Sequence, residues 1–71
     1  MNSNLMFVYT LLLDEQEKLT AKIKRVDTTI RTADEMDKEY WKNVRSDFVS
    51  QLNNLYRAIG ILFKELIDNA E

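Results

Sequence analysis

The sequence of 71 residues contains no proline, no cysteine and no histidine, and its single glycine is Gly60. Without proline, and with one glycine, almost nothing punctuates the backbone. Strands need turns, and turns favour Gly, Pro, Asn and Asp clusters, which are scarce through the long middle of the chain. The lack of cysteine excludes disulfides, thiolate nucleophiles and cysteine-bound zinc. The lack of histidine removes the commonest general base and metal ligand. No phosphate-binding glycine loop, nucleophile elbow or metal-ligand spacing occurs, so the chain reads as non-enzymatic, with no cofactor and no metal. An excess of one charge is missing too: 10 Lys and Arg stand against 12 Asp and Glu, a net charge of −2. Such a balance argues against strong non-specific attraction to nucleic acid or acidic membranes. The apolar run from Leu5 to Leu13 is shorter than the ~20 residues that cross a bilayer, and no basic stretch of a signal peptide precedes it. A soluble, cytoplasmic protein with no membrane span is expected.

What is present is helical. Leu, Lys, Glu, Gln, Ala and Arg are plentiful, and all favour helix. Asn2, Ser3 and Asn4 suit an N-cap. From there Leu5, Leu12, Leu19, Val26 and Ala33 recur every seven residues, with Tyr9, Ile23 and Ile30 as a companion row that Gln16 interrupts. Alternating steps of three and four place both rows on one helix face. The rhythm stops at Thr32-Ala33-Asp34-Glu35-Met36-Asp37. Acids favour a first helical turn, and Thr32 to Glu35 fits a capping box, with Asp34 as a competing cap. A second helix then carries Trp41, Val44, Phe48, Leu52, Leu55, Ile59, Leu62 and Leu66 as its main stripe. Beside it runs another: Val49, Tyr56, Phe63 and Ala70, with Ile67 between. The doubled step of four from Val44 to Leu52 locally relaxes left-handed supercoiling. The expected fold is all-α: one domain over residues 1–71, with helices at about 4–33 and 36–70 and a turn at about 32–36, forming a coiled-coil-like antiparallel hairpin; because no glycine sits in the turn, a single bent or continuous helix is the alternative.

A hairpin sets the two most apolar segments, Leu5–Leu13 and Leu55–Phe63, side by side. The first is apolar around its whole circumference, and one neighbour covers only about a third of it. Phe7, Val8, Leu11, Ile61 and Phe63 cannot all point inward. Fully burying such a side chain is worth about 1.5–3 kcal/mol, so leaving five in water forfeits a sum comparable to the stability of a small domain. The expected remedy is self-association into a dimeric four-helix bundle, or docking against the helices of a partner protein. The interface residues expected are Phe7, Val8, Leu11, Tyr56, Ile59 and Phe63. The other end, from Asp14 to Asp47, holds most of the charges, with Asp14–Lys18, Asp27–Arg31 and Asp34–Lys38 spaced as helical ion pairs.

Lys18, Lys22 and Arg25 on the first helix, and Lys38, Lys42 and Arg45 on the second, follow i, i+4, i+7 spacing. Such rows can contact a phosphate backbone, with Tyr40 or Trp41 stacking a base; as ordinary solvated surface, they balance the interspersed acids. Trp41 is a candidate partner anchor or the closure of the core beside the turn. Gln16 is a candidate register-setting polar residue or an edge position with its amide in water. Asp34, Glu35, Asp37 and Glu39 lack the glycine and twelve-residue loop of a calcium site and read as a helix-start cluster. Gly60, roughly level with Tyr9, is expected to make room for that ring or for close helix approach, with a hinge or a slight bend as the alternative.

The length, hairpin and heptads resemble the plasmid copy-number regulators of the Rop type, dimeric four-helix bundles that bind paired RNA loops. The resemblance implies an alternative role as a nucleic-acid-binding regulator; no recognition motif aligns, so no residue's role carries over. The stretch from Tyr40-Trp41 through Leu62 also resembles the second helix of the small needle co-chaperones of bacterial type III secretion, helical hairpins that bind another helical subunit. That resemblance rests on apolar spacing and implies an adaptor or co-chaperone-like role.

Overall fold

A computed structural model describes residues 3–69. Two helices, α1 (Ser3–Thr32) and α2 (Glu35–Asn69), account for nearly all of these residues. They pack against each other as a slender rod with extents of 55 × 14 × 12 Å. Asn2 and Ala70, assigned above to a cap and to the second α2 stripe, lie outside the described residues.

The link between the helices is two residues long, Ala33 and Asp34. Its chemistry settles which residue opens α2. The Thr32 hydroxyl donates backwards to the Thr29 carbonyl at 3.3 Å, so Thr32 belongs to the end of α1 and forms no forward capping box. The Ala33 N–H donates to the Ile30 carbonyl, tightening the final turn of α1 in the 3₁₀ manner. The Asp34 carbonyl accepts from the Lys38 N–H at 2.9 Å; this is the first bond of α2 and makes Asp34 its N-cap. Glu35 and Asp37 follow in the first turn, where the helix dipole favours negative charge. No described residue has a positive φ, which is why the reversal needs no glycine.

The inner seam follows the heptad rows. Leu19 and Val26 are buried, 4% and 6% exposed. Leu5, Tyr9, Leu12, Ile23 and Ile30 of α1 are half-buried, as are Trp41, Val44, Phe48, Leu52, Leu55, Ile59, Leu62 and Leu66 of α2. Two helical cylinders touch along one line, so most seam residues keep one side open to solvent. Gln16 is half-buried, at the edge of the seam. No described side chain is left buried with an unsatisfied polar atom.

Register is set by three cross-helix contacts. Arg45 Nε donates to Asp27 Oδ1 at 2.6 Å, the Tyr9 and Phe63 rings lie 6.1 Å apart, and Lys22 sits 5.7 Å from the centre of the Phe48 ring. Side chains in each helix lean toward its own N-terminus. In antiparallel helices the two leans oppose, so the residues that touch lie slightly further apart in sequence than those with level backbones. Tyr9 therefore meets Phe63 rather than Gly60.

Candidate interaction surface

Because successive helical residues turn by about 100°, the three contacts divide the hairpin into two broad faces. The first face carries Tyr9–Phe63 and Arg45–Asp27. The second carries Lys22 over Phe48 and a shallow depression lined by Glu15, Leu19, Gln51, Asn54, Leu55 and Ala58. Each face has an apolar part toward the open end of the hairpin and a charged part toward the turn.

The six expected interface residues do not form one patch. Tyr56 and Phe63, 47% and 50% exposed, lie on the first face, with half-buried Ile59 between them and the seam. Val8 and Leu11, 41% and 49% exposed, lie on the second face, with Phe7 at its outer edge, 64% exposed. The cause is angular. Phe7, Val8 and Leu11 fall on one flank of α1, whereas Tyr56 and Phe63 occupy the opposite flank of the pair.

The structure adds residues that the earlier selection missed. Met6 and Leu13 are exposed on the first face beside Tyr9, and Ile67 extends the α2 stripe beyond Phe63. Met6, Tyr9 and Leu13 step by three and four, a second α1 stripe that the same periodicity reveals once the inner seam is subtracted. Ile61 is exposed on the second face, near Val8 and Leu11. The first face is the longer: its apolar stripe runs on α2 from Val49 to Ile67 without a charged member.

Gly60 makes no room for Tyr9. It is exposed at the outer edge of the first face, and a Cβ built on it meets nothing within 4 Å. Nothing within the protomer requires a glycine there.

Toward the turn, three ion pairs form among the described residues. Lys18 pairs with Asp14 at 3.6 Å, as the spacing suggested. Asp27 reaches across to Arg45 instead of pairing with Arg31, and Lys38 pairs with Glu35 at 3.4 Å instead of with Asp34. The two basic rows occupy different faces: Lys18, Lys22 and Arg25 flank the second, and Lys38, Lys42 and Arg45 the first. Lys22 is directed over Phe48, and Lys42 and Arg45 line a groove with Ser46, Val49 and Ser50. Trp41 is half-buried and meets Tyr40 edge-on, with ring centroids 5.1 Å apart; Tyr40 itself is exposed. Four α1 threonines, Thr10, Thr20, Thr28 and Thr29, donate to the carbonyl four residues back, which spends their hydroxyls inside the helix. Among the described residues, no group of three or more acids is arranged to hold a metal ion, and no helix is long and apolar enough to cross a membrane.

No family model matches the chain, and no curated protein and no solved structure does so either.

Proposed function

We propose that this chain is a non-enzymatic protein–protein interaction module, a helical hairpin whose open end takes up further helices from a second copy or from a partner protein. The observation that carries this reading is the mismatch between core and surface. Leu19 and Val26 are the buried hydrophobic residues among those described, and Met36 and Tyr40 are exposed beside the turn. The other exposed large hydrophobic residues, Met6, Phe7, Val8, Leu11, Leu13, Tyr56, Ile61, Phe63 and Ile67, crowd the end of the rod away from the turn. Burying an entire large apolar side chain stabilises by about 1.5–3 kcal/mol, so completing the burial of half-covered ones is worth on the order of 1 kcal/mol each. An adaptor, regulator or co-chaperone-like role, and a dimeric four-helix bundle, are the forms this activity takes in the reading proposed.

The nucleic-acid alternative draws less support. With the basic rows on separate faces, a phosphate backbone meets five cations on the first face, two of them already paired with acids, and three on the second, where Lys18 is paired with Asp14.

The test is paired substitution of Phe7→Glu and Phe63→Glu followed by light scattering. The expected result is loss of assembly, because one charge enters each face of the open end. An unchanged particle mass for the double variant would contradict the reading.

A further inference from the structure

We infer that the first face is covered by a second copy of this chain, seated antiparallel on it and overlapping over the open halves alone, with the Tyr56 ring of each copy lying against the bare backbone of Gly60 in the other. This rests on the helix-binding reading above and names the occupant.

Three observations converge. The first is Gly60. Glycine is the least favourable helix-interior residue after proline, and this one sits in the middle of a long helix with open space where a Cβ would be. A glycine on an exposed helical face permits close approach of another helix, and here it borders the outer side of the apolar stripe Val49, Tyr56, Phe63 and Ile67.

The second is self-complementarity. With the two α2 helices antiparallel and a two-fold axis level with about residue 58, Tyr56 faces Gly60 of the other copy and Val49 faces Ile67. Any match about a two-fold axis is reciprocal, and this axis also sets Phe63 opposite Asn53. The same axis passes α1 near Leu12, between the Met6 and Leu13 side chains that widen the patch.

The third is charge. Lys24, Arg31, Lys38, Lys42 and Arg45 occupy the turn half of this face. Two of these, Lys38 and Arg45, are paired with an acid. A parallel, fully overlapped dimer would lay the cations of one copy over those of the other, and like-charge juxtaposition selects against such an arrangement. The antiparallel, half-overlapped seating carries the basic halves away to opposite ends. The overlap also approaches adequate size. Half of a 55 Å rod, two helices and roughly 20 Å wide at 10–12 Å per helix, presents about 550 Å², close to the ~600 Å² per partner at which specific interfaces begin.

The full-length chain, which has no native cysteine, allows two direct tests. Spin labels on Ser46→Cys are expected ~35 Å apart along the axis between copies, at 1.5 Å per residue from the two-fold. In a parallel dimer they would lie across one bundle diameter, well under that distance. Gly60→Leu is expected to weaken dimerisation at least tenfold while leaving the helical circular dichroism of the protomer intact, since the protomer has space for the side chain. Association with closely spaced labels would overturn the antiparallel seating while sparing the helix-binding reading. A Gly60→Leu chain that dimerises as well as the parent would overturn the Tyr56–Gly60 contact. A parent chain that is monomeric at every concentration would overturn both the inference and the reading beneath it.

Discussion

Arg45 Nε and Asp27 Oδ1 meet at 2.6 Å across the hairpin, eighteen residues apart in sequence. This pair displaces the helical partner expected for Asp27, Arg31, and ties the turn-proximal halves of α1 and α2 in one register. Both side chains remain about 40% exposed, so water screens the attraction. Substituting either by alanine is expected to cost about 0.2–1 kcal/mol, the range of exposed pairs. A double-mutant cycle read by urea denaturation measures the coupling; a value above ~2 kcal/mol would show that the pair does more than exposed geometry permits.

Leu19 and Val26 carry more of the fold than any ion pair. They are the most buried hydrophobic positions among the described residues. Leu19→Ala is expected to destabilise by about 2–5 kcal/mol, transfer and cavity costs together. In a chain this small that is enough to abolish the cooperative thermal transition followed by circular dichroism. A variant that melts within a few degrees of the parent would mean that the seam is looser than drawn.

Asp34 and Thr32 compete on paper for the start of α2, and the backbone bonds assign it to Asp34. Alanine keeps the backbone carbonyl that makes this bond, so Asp34→Ala is expected to lose only the charge at the helix start, about 0.3–1 kcal/mol. Thr32→Ala, whose hydroxyl returns to Thr29, is expected to change stability by less than ~0.5 kcal/mol. Chemical denaturation of the two variants side by side checks the order; a larger loss at Thr32 would reverse the assignment.

For the nucleic-acid alternative the geometry sets a ceiling. A duplex lying on the first face meets at most five cations, so the logarithmic salt slope of binding to DNA should be no steeper than about −4.5. Titration of labelled RNA and DNA at low and moderate salt reads it. Tight binding that persists at moderate salt, or a steeper slope, would show that the rows act together in a way the hairpin does not display.

Much of the fold is legible in the residue pattern because the heptad rows from Leu5 to Ile30 and the stripe from Trp41 to Leu66 admit one helix-on-helix solution. The absence of proline leaves the interruption at residues 32–37 as the natural reversal. The cap was ambiguous because Thr32 and Asp34 are both competent, and only the backbone bonds choose between them. The surface was less legible. Apolar content alone marks the open end, but the rotation of each helix about its axis decides that Val8 and Leu11 look one way and Tyr56 and Phe63 the other. Gly60 was misplaced for a related reason: counting residues from the turn gives level backbones, whereas side chains lean along their helices and bring Tyr9 to Phe63.

Sedimentation equilibrium of the unmodified chain, from low micromolar to submillimolar concentration, tests most directly whether the open end is built to be covered. A dimer or larger species that dissociates on dilution is the predicted result. A single monomeric mass across the whole range, from a chain that still unfolds cooperatively, would contradict it.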